Sequence, residues 1–241
     1  DGVVTRTSSL HARVWQQLFD EFLARRPAPR PAPDQLPGAA SGIALPFRLP
    51  EDYLAHVDGK PRVEGVRSFL RSRGTELPFG ARSDDPDSDT VCGLCNRKTQ
   101  LFLAALDSQG VEVFEGTLAF LRAARASTLE TACVSSSFTC RKVLASVRLT
   151  DQFDIIYDGN DLEADDLPGK PQPDCFLRAA ELLGIEPNNA AVVEDAVVGV
   201  AAGRAGGFRP NVGVDRGAGR QKLLDAGADL VVADLAELIT G

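Results

Sequence analysis

Apolar residues in the first part of the chain recur at helical spacing. Leu10, Val14, Trp15, Leu18, Phe19, Phe22 and Leu23 fall on one face of a helix predicted over residues 10–24. Helical patterning returns over 51–70, broken at Asp58-Gly59-Lys60-Pro61-Arg62, and further helices are predicted over 63–73 and 94–106. The stretch 26–50 is dense in Pro, Ala, Gly and Arg. It cannot be a helix interior or a central strand, and it reads as a long passive connection. Residues 78–90 read as polar turns. Beyond about residue 108 the texture changes. Short apolar runs at 131–134, 153–157, 190–193, 211–214 and 229–232 alternate with helical patterns at 116–125, 139–147, 173–183, from 196 onward, and at 220–226. Such alternation predicts an α/β fold, with a parallel sheet covered by helices on both faces.

In an open parallel sheet, ligands gather at the carboxyl ends of the strands. Four polar loops are predicted there: Asp1-Gly2, Ser135-Ser136-Ser137, Gly169-Lys170-Pro171 and Glu194-Asp195. Paired carboxylates at a strand end suit a hard cation such as Mg²⁺, which takes oxygen ligands. Taken alone, Glu194-Asp195 reads equally well as an N-capping Asp beside a solvated Glu. Lys170 also reads as a lysine in a surface turn, and Ser135 as a helix N-cap that can bond a phosphate oxygen at the same time. Together the loops supply acids, hydroxyls and a cation. That set suits phosphoryl transfer, where catalysis is mostly positioning and charge neutralisation.

Composition narrows the classes. The 241 residues carry a net charge of −8 without a strong basic cluster, so no nucleic-acid partner is expected. No apolar run approaches a membrane span, and no secretory leader is visible. Five cysteines, an odd number, argue against a disulfide framework and point to the cytosol. Cys92-Gly93-Leu94-Cys95 has C-x-x-C spacing, but with His11 and His56 as the sole histidines a second zinc-ligand pair is missing, and the thiols read as ordinary reduced ones.

Four motifs in order carry a resemblance: Asp1-Gly2-Val3-Val4-Thr5, Val134-Ser135, Gly169-Lys170-Pro171-Gln172-Pro173-Asp174, and Glu194-Asp195 before an Ala/Gly-rich helix. The chain resembles the haloacid dehalogenase superfamily, and within it the β-phosphoglucomutase-like enzymes. The resemblance implies a doubly wound parallel sheet with an inserted helical cap. Residues 1–7 would be the remnant of the first core motif, 8–108 the cap with its Pro-rich insertion at 26–50, and 109–241 the α/β core. It also implies the site. Asp1 is the general acid/base and, with Glu194 and Asp195, a Mg²⁺ ligand. Ser135 bonds the transferring phosphoryl group, and Lys170 neutralises it. His11 orients the acid/base. Arg62, Lys98, Ser136, Ser137 and Thr7 serve the substrate, with Thr7 in the hinge and Arg62 on the non-transferring phosphate.

The implied partner is a small sugar phosphate, on a monomer or on part of a multidomain chain. The implied reaction interconverts β-glucose 1-phosphate and glucose 6-phosphate through a phosphoaspartate and a bisphosphate. A sugar-phosphate phosphatase and a non-catalytic domain are the alternatives. The family places its nucleophilic Asp two positions ahead of Asp1, on a central strand. The chain is therefore expected to be an incomplete copy, inactive as it stands and with a gap in its sheet. Phe138-Thr139 and Arg6 also depart from the family pattern and bear on substrate detail.

Overall fold

The computed structural model describes residues 1–25 and 45–239. Most of the proline-rich stretch therefore lies outside the described residues. The chain divides into two compact units. One comprises Asp1–Ser8, Gly59–Pro61 and Leu106–Gly241, and the other Ser9–Asp58 and Arg62–Ala105.

The second unit is helical. Its elements are α1 (Ser8–Ala24), α2 (Arg62–Ser72) and α3 (Val91–Gln109), with a π-helical turn at Tyr53–Val57. The apolar face expected of α1 is buried, with Leu18, Phe19 and Phe22 at 1 % exposure or less. Phe19 packs on Phe69 with ring centroids 4.0 Å apart and on Phe47 at 5.4 Å. Full burial of each such ring contributes about 1.5–3 kcal/mol. Phe47 ends the proline-rich stretch, so that end is anchored rather than a passive connection. Its amide donates to Asp20 Oδ1 and its carbonyl accepts from Gln16 Nε2. A buried pair, Arg73 with Asp52, fixes the adjoining segment at 2.5 Å.

The first unit is the α/β one. Val3 to Thr5 run beside residues 112–114, with one antiparallel bridge between Thr5 and Val113. Helix α4 (Glu115–Ala126) leads into β1 (Ala132–Val134), α5 (Cys140–Ser146), β2 (Ile155–Tyr157), α6 (Gly159–Ala164) and α7 (Asp174–Leu183). Then come β3 (Val192–Glu194), α8 (Val197–Ala205), β4 (Asn211–Val214), α9 (Arg220–Asp225) and β5 (Leu230–Val232). All strand pairings are parallel, as the alternation predicts. They form two pieces, β1-β2 and β3-β4-β5, and among the described residues no strand hydrogen-bonds β1 to β3.

Side-chain alternation builds a core layer on each face. Ala132 and Val134 of β1 pack with Val192 of β3 and with Phe176, Ala179 and Ala180 of α7, so one helix joins both sheet pieces in a single cluster. Cys133, between them, points the other way and packs with Cys140, Leu144 and Leu149. Helix α6 has no counterpart among the helices predicted from the sequence, and it starts at an Asp-Gly pair, which elsewhere is a common turn signal. The buried Asp158 caps it instead, accepting from the Asn160 amide while Asp161 accepts from the Asp158 amide. No helix among the described residues is long and apolar enough to cross a membrane.

Candidate active site

The α/β unit carries the predicted acids, hydroxyls and cation, with Ser135 and Glu194 at the ends of β1 and β3 and Lys170 in the loop between α6 and α7. Asp1 accepts from Thr7 Oγ1 at 2.6 Å through Oδ1 and from Ser135 Oγ at 3.3 Å through Oδ2. Thr7 is fully buried and in turn meets Thr5 Oγ1 at 3.1 Å. The Thr7 and Ser135 hydroxyls set the orientation of the Asp1 carboxylate. Thr7, assigned by resemblance to the hinge and substrate, is here an orienting group for Asp1. The Thr5-x-Thr7 spacing after Asp1-Gly2 is the sequence signal that could have suggested it.

Ser135 follows β1 directly, and its amide continues the ladder to Tyr157 O. Its Oγ also accepts from the Ser137 amide, which shapes the loop. Ser136 donates to the carbonyl of Gly59, within the same unit. Ser137 pairs with Thr139 Oγ1 at 2.9 Å. The three serines thus share one loop but face different partners.

Lys170 and Glu194 form a buried ion pair, each less than a tenth exposed. The second Glu194 oxygen accepts from the Ala196 amide. Burial disfavours the Lys170 charge, but the Glu194 carboxylate outweighs burial and holds the pKa above the ordinary lysine value. The ammonium also sits 4.6 Å from the centroid of the Phe176 ring. Gly199 makes room for this pair, since a Cβ there would lie 2.2 Å from the Glu194 carboxyl carbon. The small residues after Glu194-Asp195 suggest close helix packing on the sheet, and the structure gives one of them this further task.

Asp195 lies against the backbone of Gly2. A Cβ on Gly2 would fall 1.7 Å from Asp195 Oδ2, and Gly2 has φ of +72°. The Asp195 carboxylate is thereby brought to the Asp1-Gly2 turn. Among the described residues no three His, Cys, Asp or Glu side chains gather as a metal group by themselves. Mg²⁺ takes one or two carboxylates and completes its shell with water and ligand oxygens. The carboxylates that would hold it are Asp1, Glu194 and Asp195; Asp195 lies at the Asp1-Gly2 turn, while Lys170 and the Ala196 amide engage the two Glu194 oxygens.

In the helical unit, Lys98 Nζ meets His11 Nδ1 at 3.0 Å, and both side chains are buried. His11 stacks on Phe102 at 4.2 Å, and the Lys98 ammonium sits 5.0 Å from the centroid of the same ring. Burial and the Arg62 charge bring Lys98 down to about 7. Burial and Lys98 hold His11 well below the ordinary imidazole value, so it is neutral. Arg62 Nη1 donates to Thr99 Oγ1 at 2.8 Å. The sequence suggests these three residues separately, and the structure places them in one unit.

The chain matches the haloacid dehalogenase-like hydrolase family over residues 1–207. It belongs to that family. A β-phosphoglucomutase of Mycobacterium bovis is 46% identical over 242 residues, covering 99% of this chain and 88% of that protein. An uncharacterized glycosyl hydrolase of Mycobacterium tuberculosis is 34% identical over 241 residues, covering the whole chain but 17% of the larger protein. The solved β-phosphoglucomutase of Clostridium difficile superposes with a TM-score of 0.74 at 21% identity, covering 99% of this chain and 90% of that one. The haloacid dehalogenase-like fold, an α/β core with a helical cap, is thus the architecture of this chain, and β-phosphoglucomutases are among its relatives.

Proposed function

We propose that the protein transfers phosphoryl groups on a sugar phosphate with Mg²⁺, as a β-phosphoglucomutase that interconverts β-glucose 1-phosphate and glucose 6-phosphate. The observation that supports this most is the grouping in the α/β unit. A carboxylate oriented by two hydroxyls, a serine loop after β1, and a buried lysine held by a carboxylate at the end of β3 lie in that one unit. The relative at 46% identity points the same way.

In this reading Mg²⁺, when bound, neutralises phosphate charge and fixes the phosphoryl oxygens. Lys170 carries a permanent positive charge beside those oxygens and is kept protonated by Glu194. Ser135 donates its hydroxyl to the phosphoryl group. Asp1, aimed by Thr7 once the Ser135 hydroxyl turns from it to the phosphoryl group, gives a proton to the leaving oxygen and takes one from the attacking hydroxyl. The transferring group passes through a phosphoaspartate on the family's nucleophile, and the sugar turns over as a bisphosphate. Arg62 is assigned to the non-transferring phosphate, Lys98 to the substrate, and neutral His11 to orienting the acid/base. Five free cysteines in the chain fit a reducing compartment, and we place the protein in the cytosol.

Arg62→Ala separates this reading from a sugar-phosphate phosphatase. Mutase turnover should fall far more than hydrolysis of small monophosphates, and equal losses in both would count against the assignment. The match to a segment of a much larger protein favours a second reading, a haloacid dehalogenase-like domain within a multidomain chain. Phosphoryl transfer by the folded protein would separate a working enzyme from a domain that only binds.

A further inference from the structure

Two buried thiols that phosphoryl transfer does not use lie at the two ends of the serine loop. Cys133 is the central residue of β1, and Cys140 opens α5. Their Sγ atoms are 3.8 Å apart. Between them run Ser135, Ser136, Ser137 and Thr139, whose hydroxyls and amides shape the loop. Cys133 is 8 % exposed and Cys140 4 %. Both pack in one layer with Leu144 and Leu149, so neither sulfur has to leave the core to reach the other.

The geometry points to Cys133 and Cys140 as an oxidisable dithiol, which a hydroperoxide converts to a disulfide that ties β1 to the first turn of α5 and closes a covalent ring around the serine loop. A disulfide bond is ~2.05 Å long, so the sulfurs close by about 1.8 Å, within reach of side-chain rotation and a small shift of the helix start. The contact with Cys140, together with the nearby Lys170 charge, acts against burial and lowers the Cys133 thiol from its ordinary value. The same contact, with burial, pushes Cys140 up. Cys133 is therefore the attacking sulfur.

Its thiolate takes one oxygen from the hydroperoxide and becomes a sulfenic acid, while the other oxygen leaves as hydroxide and is protonated to water (to an alcohol for an organic peroxide). Cys140 Sγ then attacks the Cys133 sulfur. The S–O bond breaks, and the hydroxyl leaves as water with the Cys140 proton. Two electrons pass from the thiol pair to the peroxide. Cys175 is a built-in control, being buried, raised by that burial and without a thiol at this distance among the described contacts.

The test is a non-reducing peptide map of the full chain after hydrogen peroxide, together with a thiol titration under denaturing conditions. Two of the five thiols should be lost, with a linked peptide joining Cys133 to Cys140, and dithiothreitol should restore both. In Cys140→Ser, dimedone should label Cys133 as the trapped sulfenic acid. Retention of all five thiols, oxidation of Cys133 to sulfinic acid without a link, or loss spread equally to Cys175 would overturn the proposal. Should Cys140→Ser fail to fold, the map of the unaltered chain decides alone. These readouts are covalent and need no turnover, so they stand apart from the sugar-phosphate reading.

Discussion

Replacing Lys98 by Met tests the electrostatics of the helical unit. Lys98 is 7 % exposed, and its ammonium lies against His11, Trp15 and Phe102 with the Arg62 charge nearby. Burial and Arg62 lower its pKa from 10.5 to about 7. A tenfold change in a protonation constant corresponds to about 1.4 kcal/mol, so carrying the charged form in the folded unit costs on the order of 4 kcal/mol relative to the unfolded chain. The sign follows from proton counting. Between about pH 7 and the unfolded value near 10.4, the unfolded chain keeps this proton while the folded chain has released it, so stability rises with pH. Below about pH 7 both states are charged and the full cost is present.

Met has a similar length, and its sulfur suits the Trp15 and Phe102 rings. It removes the titration but forfeits the contact with His11, about 1 kcal/mol. Lys98→Met should therefore be more stable than the native protein by roughly 3 kcal/mol near pH 6–7, and the advantage should shrink and then reverse towards pH 10. Urea unfolding followed by the fluorescence of Trp15, the single tryptophan, reads this unit directly. A difference between the two proteins that stays constant over that pH range would refute the reasoning.

Four further substitutions, two of them combined, probe the remaining contacts. Gly199→Ala should displace Glu194 and with it Lys170, costing about 1–3 kcal/mol in a thermal melt and at least tenfold in turnover; a variant as active as the native protein would contradict the packing argument. Lys170→Met leaves Glu194 buried without its partner and should cost about 3–5 kcal/mol, whereas adding Glu194→Gln should recover much of the stability and none of the turnover. Burial opposes the charge on Asp52, but the Arg48 amide and the Arg73 guanidinium hold its carboxyl below the usual value. This contribution is present above the unfolded carboxylate value of ~3.9 and is lost as pH falls through the lower folded value. Arg73→Met should consequently cost about 3–5 kcal/mol at neutral pH and distinctly less in acid, as measured by paired urea titrations.

The parts of the fold that were legible are those whose signal is local. Val192 and Val193 read as a buried strand because apolar runs bounded by polar loops have few other uses, and α1 showed its buried face through spacing alone. The site acids and Lys170 were legible because the loops after such strands are where ligands collect. Features made by long-range contact were not. Gly59–Pro61 group with the α/β unit through bonds such as Ser136 to Gly59, which no spacing reveals. The resemblance places Thr7 in the hinge, and the fold puts its hydroxyl on Asp1. Helix α6 was hidden because an Asp-Gly pair is a turn signal, and only the capping bonds of Asp158 and Asp161 turn it into a helix start. Cys133 and Cys140 are seven residues apart, a spacing with no meaning until a strand and a helix bring the two sulfurs together.

The central claim is phosphoryl transfer between positions of one sugar. The most direct measurement supplies β-glucose 1-phosphate, Mg²⁺ and a trace of the glucose bisphosphate, and follows glucose 6-phosphate and free phosphate separately. It is run on the protein as it occurs in its source, whatever flanks residues 1–241. Glucose 6-phosphate well in excess of free phosphate is the expected result. Free phosphate as the dominant product would make the protein a phosphatase, and no product from the folded protein would contradict phosphoryl transfer on glucose phosphates.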